Sequence, residues 1–266
     1  MNAFFRPIYY LISIPFLANC ANQIGETPSN GVFSKNHTEL QQHRSGLPPN
    51  DALSPVVQNA DWAVEWWQPR HEQKLTAALT SDIDLLMIGD SITHGWESGG
   101  SQVWQEYYQH RKAFNLGFSG DRTEHVLWRL QHGAVKGLKP KLTVLMIGTN
   151  NTGHHMDPAE FTAKGIEAIV DELRTRLPES KILILGIFPR HYSPFNEMRR
   201  RNDAINSNIS NLDNGVDIFY RNLNSVFLDN NGTLSESIMP DLLHPNAMGY
   251  RIWAEAMEPT IKALLE

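Results

Sequence analysis

The chain has 266 residues, with 23 Lys and Arg against 29 Asp and Glu, a formal charge of -6. That balance, without a basic tract able to neutralise a run of phosphates, argues against nucleic acid as a partner. A hydrophobic fraction of 41% with seven Trp and eleven Phe excludes disorder throughout, and a single cysteine, Cys20, excludes an internal disulfide and a thiolate zinc cluster.

At the N-terminus, Arg6 precedes the apolar run IYYLISIPFLA, too short to span a bilayer comfortably and suited to the hydrophobic part of a secretory signal. Residues 1–20 are therefore expected to be a signal segment, and the chain to be exported as a periplasmic or membrane-anchored protein. The LANC stretch resembles a bacterial lipoprotein signal, in which Cys20 would carry the lipid anchor. Asn19 stands where a small residue is usual, so cleavage nearby and a retained apolar N-terminus stay open beside lipidation. Residues 21–60 are rich in Asn, Gln, Ser, Pro, His and Gly without a sustained apolar period, the composition of a mobile polar arm with little core.

From Asp61 onward, strands alternate with helices, and residues 61–266 are expected to form one catalytic domain. Four runs are almost continuously apolar: IDLLMIG from Ile83, LTVLMIG from Leu142, ILILGI from Ile182 and the shorter VDIFY from Val216. Continuous hydrophobicity predicts strands covered on both faces, as in a parallel sheet, and AFNLGF from Ala113 is a weaker fifth. Between them, Phe161, Ile166, Ile169, Val170, Leu173 and Leu177 form one helical stripe. Its start is predicted from Asp157 as the cap, Pro158 at the first helical position and Glu160 as a capping-box partner. A last helix begins near Asn246 and turns Tyr250, Trp253 and Met257 to the core, with a kink expected at Pro259. The class is α/β, three layers, with every strand's carboxyl end on one edge where a site should lie.

Four stretches place reactive groups on that edge. GDSITHG follows the first strong strand, so Ser91 sits where strand gives way to helix, at the helix's positive end. The plain alternative is that Ser91 only caps the helix. NLGFSGDRT supplies Gly120, whose N–H can approach an oxyanion unobstructed, although a lone glycine there would read as a turn. GTNN supplies Asn150, a neutral amide donor suited to charge that appears only in a transition state. In DLLHP, Asp241 precedes His244 by three residues, so one turn can hold the carboxylate against one ring nitrogen while the other faces a serine. The elbow G-x-S-x-G is absent around Ser91, which argues against the α/β-hydrolase fold.

The ordered blocks GDSIT, GFSGD, GTNN and DLLHP resemble those of the SGNH or GDSL-like hydrolase superfamily, from about Asp61 to the C-terminus. GDRTEHVLWRL and IGTNN look most similar to the catalytic subunits of platelet-activating-factor acetylhydrolases and their bacterial relatives. The resemblance implies a flavodoxin-like sheet of five parallel strands and short-acyl, often acetyl, ester substrates. It also implies roles: Ser91 as nucleophile and oxyanion donor, Gly120 and Asn150 as further donors, His244 as base and Asp241 as its orienting acid. No cofactor or metal is needed for that chemistry.

Trp96, His154, His155 and Arg190 lie on loops leaving the first, third and fourth strands and are candidates for lining the substrate pocket, against the plain reading of loop side chains in solvent. Adjacent histidines without an acidic cluster do not make a metal site, and Asp90 reads as a structural hydrogen-bonding group. The expected substrate is a small acyl ester or an acetylated saccharide. An acyltransferase passing the acetyl group to a sugar hydroxyl, and a carbohydrate-binding protein on a retired scaffold, are the alternatives.

Overall fold

The computed structural model describes residues 50–265, so the expected signal segment, Cys20 and most of the polar arm lie outside the described residues. Five strands form one parallel sheet: β1 (Leu85–Gly89), β2 (Ala113–Gly117), β3 (Leu142–Met146), β4 (Lys181–Leu185) and β5 (Ile218–Arg221), in the order β2-β1-β3-β4-β5. In that order the chain reverses direction across the sheet between β1 and β3, which opens a crevice at their carboxyl ends.

The apolar runs fill both faces because alternate residues point to opposite sides. Leu86 and Ile88 pack into one core with Trp67 of α1 (Trp67–Ala78), Leu127 of α4 (Thr123–Gln131), Ile169 of α5 (Ala159–Arg176) and Ile205 of α6 (Glu197–Ile209). Leu85 and Met87 pack into a second core with Trp96, Val103 of α3 (Ser101–Tyr107), and Tyr250, Trp253 and Met257 of α7 (Ala247–Leu265). The one-turn helix α2 (Ser91–His94) joins β1 to this second layer.

Several expectations need correction. β5 is shorter than VDIFY: Val216 is exposed and the strand's residues are only partly buried, because an edge strand has a neighbour on one side alone. Pro158 is the N-cap of α5 and not its first helical residue, and Asp157 does not cap it. The Asp157 carboxylate instead accepts from the Asn151 side chain at 3.1 Å. Residues 50–60 are not a loose arm either. Ala52 and Leu53 are buried in a 3-10 turn on α5, the Thr123 hydroxyl donates to the Ala52 carbonyl at 2.9 Å, and a Cβ on Gly165 would lie 2.6 Å from that carbonyl oxygen. Asn246 caps α7 through its side chain, which accepts from Gly249 N–H at 3.0 Å, and the helix continues past Pro259 to Leu265.

Candidate active site

Ser91 opens α2 directly beyond β1. The Asp90 carboxylate accepts from Ile92 N–H at 2.9 Å and caps the helix, while burial pushes its pKa up to about 7. Gly89 is dictated by close packing, since a Cβ there would lie 2.2 Å from the Thr93 hydroxyl and 2.5 Å from the Met146 carbonyl oxygen. Asp90 is thus structural, and Ser91 is left free to face the crevice.

The Ser91 hydroxyl lies 2.8 Å from Nε2 of His244, and Nδ1 of His244 lies 2.6 Å from Oδ2 of Asp241. The turn that achieves this uses the second carboxylate oxygen of Asp241, which accepts from the backbone N–H groups of Leu243 (3.1 Å) and His244 (2.7 Å). Burial pushes the Asp241 carboxyl up, but the bonds from the His244 ring and from these N–H groups outweigh it and hold the pKa below the usual carboxylate range. Leu242 takes a left-handed conformation at φ 58°, and its carbonyl accepts from His191 N–H at 2.9 Å, which ties the turn to the loop after β4.

Gly120 and Asn150 come together across the end of β1. Asn150 donates one amide hydrogen to the carbonyl of Asp121 at 2.9 Å, which fixes the amide plane beside the Gly120 turn. Gly120 has φ 76°, and a Cβ there would lie 2.0 Å from the Trp62 ring, so both its conformation and its contact require glycine. Beneath the turn, the buried Asp121 carboxylate accepts from Trp67 Nε1 at 2.6 Å and from Arg129 Nε at 2.8 Å. Burial pushes the Asp121 pKa up to about 6 even with Arg129 opposing it.

The pocket candidates separate. Trp96 is 1% exposed and packs among Trp104, Tyr108, Tyr250 and Trp253, so it is a core residue and not a substrate contact. Arg190 donates to the Thr149 carbonyl at 2.8 Å and packs against Gly153, bracing the loop that carries Asn150. His154 and His155 are exposed, and the His154 ring meets Trp62 edge-on at 6.5 Å. Trp62, over Gly120 and beside His154, is a neighbour of the site to which position along the strands does not point. It sits in the run DWAVEWW, whose Trp density is the signal in the sequence that points to it. A cavity of about 340 Å³ adjoins Ser91 and His244. Its wall has three serines, two histidines and two glycines with Pro245 and Tyr250, and among the described residues no aliphatic side chain larger than proline lines it.

A serine, an imidazole and a carboxylate in contact at the switch point of a parallel α/β sheet are the groups that an ester hydrolase with a serine nucleophile uses. The model of the GDSL-like lipase/acylhydrolase family matches residues 87–252. The chain is 34% identical over 201 residues to platelet-activating factor acetylhydrolase IB subunit alpha2 of Rattus norvegicus, covering 75% of this chain and 85% of the relative. In fold it is similar to a GDSL-like lipase from Bacteroides thetaiotaomicron (TM-score 0.61, 17% identity, 73% of this chain and 97% of that one). It is also similar to an acetylxylan esterase from Geobacillus stearothermophilus, crystallised as a catalytic mutant (TM-score 0.56, 19% identity, 68% and 94%). The chain belongs to the GDSL-like lipase/acylhydrolase family and is a carboxylic ester hydrolase.

Proposed function

We propose that this esterase removes short acyl groups, acetyl above all, from a carbohydrate or lipid alcohol through an acyl-Ser91 intermediate. The observation that carries the mechanism is the unbroken chain Ser91 Oγ, His244 Nε2, His244 Nδ1, Asp241 Oδ2, with contacts of 2.8 and 2.6 Å. His244 Nε2 takes the Ser91 proton as Oγ bonds to the ester carbonyl carbon. Asp241 stabilises the imidazolium and fixes its tautomer. The carbonyl oxygen, now an oxyanion, accepts from the N–H groups of Ser91 and Gly120 and the remaining amide hydrogen of Asn150. Collapse breaks the bond to the alcohol, which leaves with the proton from His244. Water then attacks the acyl carbon, its proton passes to His244, and Ser91 recovers that proton as the acid departs.

The acetyl group is common to the names of the relatives, one an acetylhydrolase and one an acetylxylan esterase. Export through the N-terminal segment, with Cys20 as a lipid anchor, favours an acetylated saccharide outside the cytoplasm. Hydrolysis rates across p-nitrophenyl esters of increasing chain length and acetylated xylo-oligosaccharides test the reading. The expected profile falls steeply beyond short acyl chains and vanishes in Ser91→Ala. Flat rates across chain lengths, or full turnover by a folded Ser91→Ala protein, contradict it, and acetyl transfer to an added saccharide in place of hydrolysis selects the acyltransferase alternative.

A further inference from the structure

Ser91 and His94 are three residues apart, so they share one face of α2, and both border the 340 Å³ cavity. Ser119, immediately before Gly120, borders it as well. The His94 Nδ1 atom lies 3.0 Å from the Ser119 hydroxyl and 3.4 Å from the Ser119 backbone N–H.

These two contacts fix the direction of the hydroxyl. A backbone N–H can only donate, so Nδ1 is the acceptor and the hydrogen of the neutral ring resides on Nε2, which faces Glu97 at 4.0 Å. Burial and the Arg70 guanidinium hold His94 neutral, with its pKa down at about 4, while Glu97 and Lys74 act on it in opposite senses. Arg70 grips Glu97 through two bonds of 2.9 and 2.8 Å and Lys74 adds a third at 2.8 Å, so the carboxylate is held in place behind the ring. On its other side the His94 ring meets Trp66 at 5.9 Å. The Ser119 hydroxyl therefore spends its one hydrogen on His94 and turns an accepting oxygen to the cavity.

In the proposed mechanism the departing alcohol lies on this side. It takes its proton from His244, which borders the same cavity, whereas the oxyanion is drawn towards Gly120 and Asn150. We infer that Ser119, oriented by His94, is a specificity-determining residue that accepts a hydrogen bond from a free hydroxyl next to the ester, so that the preferred substrates are partially acylated polyols and saccharides. This rests on the esterase reading above and deepens it. An alcohol without such a hydroxyl displaces water from the Ser119 oxygen without replacing its hydrogen bond, and a site built for a substrate hydroxyl discriminates against the analogue lacking it. His94 acts through Ser119 and is a positioning residue.

The test compares two small esters that differ in that one donor, 2-hydroxyethyl acetate and 2-methoxyethyl acetate, with rates normalised to their alkaline hydrolysis. For the full chain, kcat/KM is expected to favour the hydroxyl compound about tenfold, chiefly through KM. Ser119→Ala and His94→Ala should bring the ratio to within about twofold of unity, while Ser119→Thr, which keeps the hydroxyl, restores most of it. A wild-type ratio near unity overturns the inference without any variant, and so does a ratio that survives in folded Ser119→Ala. p-Nitrophenyl acetate separates the two levels. If it is cleaved through Ser91 while the ratio is flat, only the Ser119 assignment fails. If it is not cleaved at all, the esterase reading fails and takes this inference with it.

Discussion

In the proposed mechanism the active site has two halves, and they are built in opposite ways. On the oxyanion side, Asn150 is 6% exposed and Asp121 fully buried, with the turn locked from below by Trp67 and Arg129. On the proton-transfer side, the side chains of Asp241 and His244 are 56% and 42% exposed and ride on a surface turn. The difference fits what the proposed mechanism asks of each half. Donors to a developing charge help most when they need no reorganisation, which demands a packed and desolvated setting. A base that passes a proton to an alcohol and then takes one from water needs access to both.

Substitutions on the two sides should therefore fail differently. The junction between them, Ser91, carries the largest effect: Ser91→Ala should lower kcat about 10⁶-fold with an unchanged melting temperature, checked by active-site-normalised kinetics and calorimetry. On the exposed side, Asp241→Asn should cost roughly 10⁴-fold in kcat through loss of the correct imidazole tautomer, again with little change in melting. On the buried side, Asn150→Ala should cost about 10²- to 10³-fold and also lower the melting temperature, because the Asp121 carbonyl loses its donor. An Asp241→Asn protein that melts earlier than Asn150→Ala would break the comparison.

Beneath the oxyanion turn, Arg129→Met should destabilise the fold by about 3–5 kcal/mol, since it leaves the Asp121 carboxylate buried without its cation. Urea unfolding measures this directly. The smallest expected effect is one of pH. His94 has a folded pKa of about 4, below the ordinary 6.5 of an imidazole. Its neutral form therefore contributes stability above pH 6.5 that is lost as pH falls towards 4. The difference in stability between the wild type and His94→Gln should shrink over that window. A difference that grows on acidification contradicts the neutral assignment.

The convergence of the five proposed reactive positions was legible because each stands at a strand's carboxyl end or before a helix, where topology alone brings them to one edge. Contact distances and the Asp241 turn geometry were not, since they depend on Leu242 adopting a left-handed conformation that its residue type disfavours. Trp96 shows the limit of position as a guide. A loop after β1 can turn inward, and the burial of this ring depends on Tyr250 and Trp253, more than 150 residues away in the chain. Residues 50–60 were unreadable for the complementary reason. Their two buried apolar side chains, Ala52 and Leu53, are too few to make a period, and the segment is held through its backbone, the Ala52 carbonyl accepting from the Thr123 hydroxyl and Val56 N–H donating to the Glu124 carbonyl. Asp157 followed cap chemistry, but the buried Asn151 amide claimed its carboxylate.

The central claim is that Ser91 is activated by His244. Treatment of the intact protein with an organophosphate such as paraoxon, followed by intact mass and peptide mapping, tests it most directly. The account predicts one adduct, on Ser91, that inactivates the protein, disappears in Ser91→Ala and forms far more slowly in His244→Ala. Loss of activity with the adduct on another residue, or labelling of Ser91 at the wild-type rate in His244→Ala, would contradict it.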